Sequence, residues 1–363
     1  MNLIYATSFS GSAGTAHRMQ VLSMARAFAR LLGDHFLLGA GNIEEVDKLK
    51  IINLGGRSTR VLACRYLKLC QAKQINHIYC REPKLLLFIA WFNFLWFRQR
   101  IKFIYEVHTL PLGTDFVALI NRLLTRFVSK YVFVTRHLAE RYGLTFTQDK
   151  IIVAHDGVNL EIFDLNVSQD EARTKLDLPS EKKIIGYTGR FKTMEMEKGI
   201  GDILKSLQSL PEEILFLAVG GKKRHRDEYL TQARQLGVEK KVNLVEHFSQ
   251  EIVALYQKAC DLLLMPFPYT EHYAYYMSPL KMFEYMASKR PIIATDLPAV
   301  REVLNESNAI LIPPDNPSAL AKAISHLLAH PQIGEQLANQ AYLDVQNYTW
   351  EKRAGKIIEA INR

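Results

Sequence analysis

The sequence has few of the residues that form disulfides or metal sites. Its 363 residues include four cysteines, with no Cys-x-x-Cys pair: Cys64, Cys70, Cys80 and Cys260. No Asp-x-Asp occurs, and no group of His, Asp or Glu has the spacing of metal ligands. These absences argue against a disulfide framework and against a metal-dependent diphosphate site. Because Met1 opens no recognisable signal peptide, we expect a cytoplasmic protein. The lack of metal-ligand spacing leads us to expect a site that uses neither a metal nor another cofactor.

A long hydrophobic run is also missing. The longest apolar stretch, Leu85–Phe97, is shorter than the roughly 20 residues needed to span a bilayer, and Arg98-Gln99-Arg100 follows it. One interpretation is a buried or half-buried helix between two strands. The other is a helix that lies in a membrane interface, with Trp91 and Trp96 as anchors.

Acidic residues are scarce in the first part of the chain. Residues 1–160 contain 21 Lys or Arg and 10 Asp or Glu, whereas the remainder contains 25 and 27. This asymmetry favours an acidic partner for the first part. No recognised nucleic-acid motif is present, so an anionic membrane surface or a polyanionic acceptor fits better than nucleic acid. Arg122, Arg126 and Lys130 recur at four-residue intervals and predict one basic helix face, either simply solvated or part of an acceptor or membrane site.

Short apolar runs alternate with longer periodic segments along almost the whole chain. The predicted strands lie at 2–7, 35–39, 51–53, 77–80, 101–106, 131–134, 151–154, 184–188, 214–219, 242–245, 262–266, 291–295 and 308–312. The predicted helices lie at 15–31, 59–74, 83–97, 116–129, 135–142, 199–208, 224–236, 250–259, 279–288, 299–304, 317–329, 333–345 and 350–362. This alternation is typical of α/β proteins with parallel sheets.

The polar stretch 165–182 is predicted to be a linker between two doubly wound domains. The first domain would comprise residues 1–165, joined by the C-terminal helix 350–363, and the second would comprise residues 166–349. Ligands of such sheets bind at the carboxyl ends of the strands, so the loops at those ends are the places to look for function.

Two loops of the first domain could carry chemistry. Small residues at Gly11–Thr15 follow the first strand and would let a phosphate or a sugar approach the backbone, unless they form a plain connection. They do not form Gly-x-Gly-x-x-Gly, so an NAD-dependent oxidoreductase is weakly supported. His108 follows the strand 101–106, where an imidazole could donate a hydrogen bond to a sugar or phosphate, or could simply pack.

The second domain has candidate groups at three turns. Arg190 at a strand end and Lys198 at the next helix start could form a cationic clamp for a diphosphate. Gly220-Gly221 forms another turn of small residues, and Ser278-Pro279 opens a helix whose free N–H groups suit an anion. Glu284, one helical turn further on, interrupts an apolar run and is either a solvated acid or a functional one.

In this order, the motifs resemble the family-4 group of retaining, nucleotide-sugar-dependent glycosyltransferases, the glycosyl transferases group 1 with the GT-B fold. The resemblance rests on Gly11–Thr15, YEVHTLP at 105–111, HDGVN at 155–159, YTGR…EKG at 187–199, Gly220-Gly221, CDLLLMP at 260–266 and SPLKMFEYMASKRPIIATDLP at 278–298. It covers nearly the whole chain.

The resemblance implies two Rossmann-like domains that face each other across a cleft, with a C-terminal helix that crosses back to the first. It implies transfer of a sugar from a nucleotide diphosphate sugar to a hydroxyl of a glycan, glycolipid or lipid-linked acceptor, with retention and without metal. Such enzymes serve polysaccharide biosynthesis in the cytoplasm or at the inner face of the plasma membrane. The implied catalytic residues are His108, Arg190, Lys198 and Glu284. The implied donor-binding residues are Gly14, Thr15, Gly189, Arg190, Lys198, Gly220, Ser278, Pro279, Leu280, Lys281 and Glu284.

The sequence departs from the family pattern at one position of the donor motif. The family usually has a first Glu eight residues before the second, and here Tyr276 stands at that place before Glu284. Glu271 or Tyr276 itself could substitute for this acid, which contacts the transferred sugar. The departure keeps a non-catalytic sugar-nucleotide-binding member open as an alternative. An epimerase or phosphorylase is a second alternative, because it shares the two-domain architecture.

Overall fold

The computed structural model describes residues 1–9, 16–56, 58–110, 116–142, 147–193 and 195–363. These residues divide into two units, Met1–Asp156 with Trp350–Arg363, and Gly157–Thr349. The division therefore comes earlier than the expected boundary at residue 165. The reason is local packing, because the Val158 N–H donates to the Tyr348 carbonyl (2.9 Å) and Phe163 is buried in the hydrophobic core of the second unit.

The described part of the first unit contains one parallel sheet of seven strands. They are β1 (Leu3–Ala6), β2 (Phe36–Ala40), β3 (Ile51–Asn53), β4 (His77–Cys80), β5 (Lys102–Val107), β6 (Val128–Phe133) and β7 (Ile151–Val153). Their order in the sheet is β3-β2-β1-β4-β5-β6-β7. The strand order reverses between β1 and β4, so the carboxyl ends of these two strands flank the switch point where such sheets bind ligands.

In the described part of the second unit, six strands form another parallel sheet, and a two-stranded antiparallel hairpin is also present. The strands are β8 (Lys183–Thr188), β9 (Lys192–Thr193), β10 (Met196–Glu197), β11 (Ile214–Val219), β12 (Val242–Val245), β13 (Leu262–Met265), β14 (Ile292–Thr295) and β15 (Ile310–Ile312). The sheet order is β12-β11-β8-β13-β14-β15, and β9 pairs with β10. The switch point of this sheet lies between β8 and β13.

Helices connect the strands in both units. Those of the first unit are α1 (Ala16–Leu32), α2 (Thr59–Ala72), α3 (Pro83–Phe92), α4 (Phe116–Leu124), α5 (Arg136–Arg141) and, at the chain end, α15 (Trp350–Asn362). Those of the second unit are α6 (Leu160–Phe163), α7 (Gln169–Lys175), α8 (Ile200–Ser206), α9 (Lys223–Gln235), α10 (Gln250–Ala259), α11 (Leu280–Ala287), α12 (Pro298–Arg301), α13 (Pro317–Ala329) and α14 (Pro331–Val345).

Helices cover both faces of the second sheet. Along β13, Leu263 belongs to one buried apolar cluster, whereas its neighbours Leu262 and Leu264 belong to the other. Successive side chains of a strand point to opposite faces, so each face of the sheet has its own core. The expected α/β class with two doubly wound, Rossmann-like domains is confirmed.

The predicted linker 165–182 is wrong in part, because α7 forms within it. Ser168 accepts a hydrogen bond from the Glu171 N–H (3.1 Å), and the Glu171 carboxylate accepts one from the Ser168 N–H (2.7 Å). This capping box satisfies the first N–H groups of the helix. Arg173 then joins the helix to the sheet, since its side chain contacts Asp261 (2.8 Å) just before β13.

Two helix predictions of the first unit also need correction. The expected basic helix face is wrong, because α4 ends at Leu124, before Arg126, and Lys130 lies in β6. The Lys130 ammonium donates to the Asp149 carbonyl instead (2.6 Å). The apolar run at 85–97 forms α3 followed by a π turn over Asn93–Phe97. In the described part of the chain, no helix combines the length and apolar character needed to cross a bilayer.

The C-terminal helix α15 is tied into the first unit by Arg353. This side chain is only 2% exposed, and its Nε donates to the carbonyls of Ala154 (3.2 Å) and His155 (2.9 Å). One terminal nitrogen lies 3.0 Å from the carboxylate of Glu106, which is equally buried. A charge in such an environment needs its partner, because removal from water would otherwise be very costly.

Glu106 is held in its ionised form by this pairing. Burial opposes its ionisation, but the charges of Arg353 and His108 outweigh burial and keep the pKa of Glu106 well below its usual range. The Tyr79 hydroxyl also donates to the carboxylate (2.5 Å). The pair therefore joins β5 to the last helix of the chain at the centre of the first unit.

Substitution Arg353→Met should destabilise the first unit by about 3–5 kcal/mol, since it removes the guanidinium that pairs with the buried, ionised carboxylate of Glu106. Urea denaturation followed by circular dichroism measures the change. The control Arg363→Ala, at an exposed ion pair with Glu359, should leave the transition in place. The double variant Arg353→Met/Glu106→Gln should recover part of the loss. An equal stability of Arg353→Met and Arg363→Ala would contradict this role of the buried pair.

Candidate active site

The candidate site of the second unit lies at the switch point of its sheet, around the carboxyl end of β8. Two turns meet there by direct backbone contact. The Gly189 N–H donates to the Val219 carbonyl (2.8 Å), and a Cβ at Gly220 would lie 2.6 Å from the Gly189 carbonyl oxygen. Both glycines have positive φ, of 114° and 119°. Only glycine fits this arrangement, which leaves bare backbone at the strand ends.

Gly199 brings a third backbone segment to the same edge. Its φ is 88°, and a Cβ there would lie 1.8 Å from the carbonyl oxygen of Pro266, the residue after β13. The Glu197 carboxylate accepts hydrogen bonds from the N–H groups of Gly199 and Gly201, both at 2.8 Å. Glu197 thus fixes the start of α8 and the position of Lys198. Sequence reasoning missed this role, although Glu-Lys-Gly stood in one of the motifs.

The hairpin β9–β10 lies between Arg190 and Lys198 in the chain. It returns the chain from the end of β8 to the start of α8, so the two cations are close enough to affect each other. Both side chains are half-buried. Burial and, next, the charge of Arg190 lower the pKa of Lys198 to about 8. A bound anion would relieve this repulsion.

Lys281 adds a third positive group and is the most buried of the three. Its ammonium lies 3.5 Å from the centre of the Tyr187 ring, and within the described residues it has no hydrogen-bond partner. A Cβ at Gly189 would lie only 3.4 Å from the ammonium. Burial first, and then the charge of Lys198, hold the pKa of Lys281 well below its usual range. Sequence reasoning placed Lys281 in the site through its backbone, not through this ammonium.

Glu284 faces the same edge from α11. It is half-buried, and burial raises its pKa to about 7, although Lys281 and a hydrogen bond from Gln257 oppose the rise. Gln257 Nε2 lies 3.5 Å from the carboxylate of Glu284 and 2.9 Å from the Thr188 hydroxyl. The amide therefore orients Glu284 relative to the end of β8. Gln257 is a site residue that sequence reasoning missed, because its position within α10 carries no local signal.

The start of α11 presents further donors at this edge. Pro279 is the N-cap residue, so α11 begins at Leu280, and Ser278 is buried just before it. The first N–H groups of a helix have no partner within the helix and carry partial positive charge. The structure thus brings Gly189, Arg190, Lys198, Gly220, Lys281 and Glu284 together with the helix start at Ser278-Pro279-Leu280 in one unit.

Tyr276 is buried in a π turn that precedes α11. Its hydroxyl donates a short hydrogen bond of 2.5 Å to the carboxylate of Glu271. The structure thus brings into contact the two residues, Glu271 and Tyr276, that the sequence offers as substitutes for the expected acid. His272, the first residue of the turn, has a pKa lowered by burial and by the charge of Lys198, which places it near the clamp.

The predicted site residues of the first unit form a separate group. His108 follows β5, and its Nε2 donates to the Glu106 carboxylate (2.5 Å). Burial, and next the charge of Arg81, lower the pKa of His108 in spite of Glu106. The imidazole is therefore positioned by the buried pair of Glu106 and Arg353. Gly14 and Thr15 lie outside the described residues.

Metal ligands are not clustered in the parts of the chain that the structure describes. No group of three or more His, Cys, Asp or Glu side chains there could hold an ion. The chemistry of the described site in the second unit is instead that of an anion cradle, with three cationic side chains, bare glycine backbone and one acid of raised pKa.

Comparisons with known sequences identify relatives of the second unit. Residues 182–330 match the family model of "Glycosyl transferases group 1". Among curated proteins, an uncharacterised glycosyltransferase of Methanocaldococcus jannaschii is 25% identical over 235 residues, 62% of this chain and 58% of that protein. D-inositol 3-phosphate glycosyltransferase of Streptomyces bingchenggensis is 26% identical over 226 residues, 60% of this chain and 48% of that protein. The chain thus spans about half the length of the curated relatives it matches.

Solved structures share the fold over the whole chain. HepE of Anabaena in complex with UDP superposes with a TM-score of 0.79 at 17% identity and covers 100% of both chains. Sucrose-phosphate synthase of Thermosynechococcus elongatus gives a TM-score of 0.75 at 18% identity and covers 99% of this chain and 97% of that chain. Together with the match over 182–330, the two doubly wound sheets and the anion cradle identify the second unit as a glycosyl transferases group 1 domain within a chain of the GT-B fold.

Proposed function

We propose that the chain is a retaining glycosyltransferase that moves a sugar from a nucleotide diphosphate sugar to an acceptor hydroxyl without a metal. The observation that carries this proposal is the convergence of Arg190, Lys198 and Lys281 at the switch point of the second sheet. Three cations held partly out of water repel one another, and a diphosphate supplies the charge that offsets this repulsion. The relatives named glycosyltransferases and the HepE complexes with UDP and UDP-glucose support a nucleotide-sugar ligand.

Each group of the cradle has a role in this proposal. The guanidinium of Arg190 and the ammonium of Lys198 bind the diphosphate and stabilise the charge that develops as it leaves. Glu284, oriented by Gln257, accepts hydrogen bonds from the ribose hydroxyls. His108 of the first unit contacts the sugar near the reacting carbon, and no protein nucleophile is assigned. The acceptor is a glycan, glycolipid or lipid-linked saccharide bound to the basic first unit, in the cytoplasm or at the inner face of the plasma membrane.

A donor screen tests the function itself. UDP-, GDP- and ADP-sugars are added to the full chain, and thermal unfolding identifies the nucleotide that stabilises it. Transfer from that donor to a panel of glycan and lipid-linked acceptors is then followed by mass spectrometry, with the anomeric configuration read by NMR. Stabilisation without transfer to any acceptor would favour a non-catalytic sugar-nucleotide-binding protein. Conversion of the donor without acceptor would favour an epimerase.

Substitution of either clamp residue should reduce turnover strongly. Arg190→Ala and Lys198→Ala each remove a charge that stabilises the leaving diphosphate, so we expect kcat to fall by about 10²–10³-fold. Circular dichroism should show an unchanged fold. The matched control is Lys205→Ala, at an exposed lysine of α8 that pairs with Asp202, and it should retain full activity. Wild-type kcat in both clamp variants would exclude the clamp.

The acidity of two site groups predicts a narrow pH optimum for kcat/KM. Glu284 is ionised only above its pKa of about 7, whereas Lys198 loses its charge as pH rises through about 8. Binding of the donor therefore weakens below the pKa of Glu284, about 7, and above the pKa of Lys198, about 8. Glu284→Gln should abolish the rise near pH 7, and Lys198→Arg should abolish the fall near pH 8. His272→Gln, close to the clamp, serves as the control and should keep both limbs. A profile that is flat across this range in the wild type would contradict these assignments.

We propose that the carboxylate of Glu271 contacts the transferred sugar and that Tyr276 positions this carboxylate. Glu271→Gln should then lower kcat by about tenfold or more, because one hydrogen bond to a charged group is weakened at the sugar. Affinity for the nucleoside diphosphate of the donor found in the screen, measured by calorimetry, should stay unchanged, since the nucleotide does not contact this group. Tyr276→Phe should give a smaller loss in the same direction. Equal loss of this affinity and of turnover would place Glu271 at the nucleotide instead.

A further inference from the structure

The first unit carries an exposed cluster of large apolar side chains where α3 ends. Trp91 is 47% exposed, Phe94 66%, Leu95 40% and Trp96 66%, and these four residues are called the aromatic turn below. Single exposed apolar residues are ordinary on protein surfaces, but four within six positions are not, because they cost free energy in water. The aromatic turn lies outside both groups of site residues described above.

The turn is held rigidly in its exposed conformation. The buried Asn93 side chain donates to the Gln99 carbonyl and accepts from the Gln99 N–H, both at 3.0 Å. The Gln99 side chain in turn donates to the Leu67 carbonyl of α2 (3.0 Å). The ring of Trp96 packs 4.8 Å from that of Phe92. A turn fixed in this way loses little conformational freedom when its exposed side chains are buried against a binding partner.

Exposed arginines neighbour the aromatic turn and its ring partner Phe127 in the chain. Arg98 and Arg100 follow it directly and are exposed. The Phe94 ring lies 6.0 Å from that of Phe127, and the exposed Arg126 is the neighbour of Phe127 in the chain. Residues 83–139 contain eight Lys or Arg but two Asp or Glu. One of the two acids, Glu106, is buried and paired, so it does not offset the surface charge.

We propose that the aromatic turn and its flanking arginines dock the protein on the surface of an anionic phospholipid bilayer. Trp and Phe side chains prefer the boundary between headgroups and acyl chains, and arginine side chains meet the anionic headgroups around them. The apolar side chains would suit a protein partner as well as a bilayer. The excess of exposed arginine beside tryptophan favours the bilayer over a protein partner. The α3 helix itself stays within the first unit, because its other face packs against α2 and α4.

The docking surface rests on the proposed location at the inner face of the plasma membrane. It does not depend on how the second unit binds the nucleotide sugar. The aromatic turn belongs to the first unit, and the anion cradle belongs to the second. Loss of lipid binding would therefore leave the stabilisation by nucleotide sugars unchanged. A failure of the docking surface and a failure of the glycosyltransferase proposal give different results.

Co-sedimentation of the full chain with phospholipid vesicles tests the surface. We expect binding to vesicles of phosphatidylcholine with phosphatidylglycerol, weak binding to phosphatidylcholine alone, and release by added salt. Phe94→Ser/Trp96→Ser should weaken the partition by about tenfold or more. Arg98→Asn/Arg100→Asn should weaken it by about tenfold, with asparagine chosen because Arg98 has a left-handed φ of 50°. All variants should keep their thermal stabilisation by the nucleotide sugar found in the donor screen.

Matched variants of the second unit serve as controls. Leu343→Ser removes an apolar side chain that is 62% exposed on α14, and Lys240→Asn/Lys322→Asn removes two exposed charges. Both should bind vesicles as the wild type does. Tryptophan fluorescence gives a second readout, because Trp91 and Trp96 are exposed whereas Trp350 is buried. Anionic vesicles should shift the emission to the blue. Equal binding to neutral and anionic vesicles, no binding, or binding without the blue shift would overturn the proposal.

Discussion

Positive charge held partly out of water at the carboxyl end of β8 is the constraint on which the second unit depends. Burial and then the charge of Arg190 lower the pKa of Lys198 there, and burial and then the charge of Lys198 lower the pKa of Lys281. The sheet topology places the groups at one edge, and the glycine turns let the segments approach within backbone contact. Stability alone disfavours this arrangement, which supports the proposed role of the edge in binding a diphosphate.

The supporting residues of the cradle are neutral or acidic and act by position. Glu197 fixes the start of α8 through two N–H groups, and Gln257 links Glu284 to Thr188. The Tyr276 hydroxyl donates a hydrogen bond to the carboxylate of Glu271. These contacts limit the motion of the charged groups, which is what electrostatic stabilisation of a leaving diphosphate requires.

The first unit contains a buried pair of opposite charges. Its buried Glu106 remains ionised because Arg353 of the last helix reaches it, and the same carboxylate holds His108. The C-terminal helix is thus part of the first unit through a charge pair as well as through apolar packing. The surface of the first unit also combines exposed arginine with exposed tryptophan and phenylalanine.

Local patterns in the sequence determined the fold class and most of the cradle. The alternation of strand and helix signals requires parallel sheets with helical crossovers, and small or cationic residues at strand ends mark the ligand edge. A local signal for α7 was also present in Ser168 and Glu171, although the polar composition of 165–182 hid it. Contacts between residues that are far apart in the chain could be decided only by the tertiary structure. Such contacts include the reach of Arg353 to Glu106, the burial of Lys281 against Tyr187, and the link from Gln257 to Glu284. No local pattern encodes these, because burial and pairing arise only when separate segments pack together.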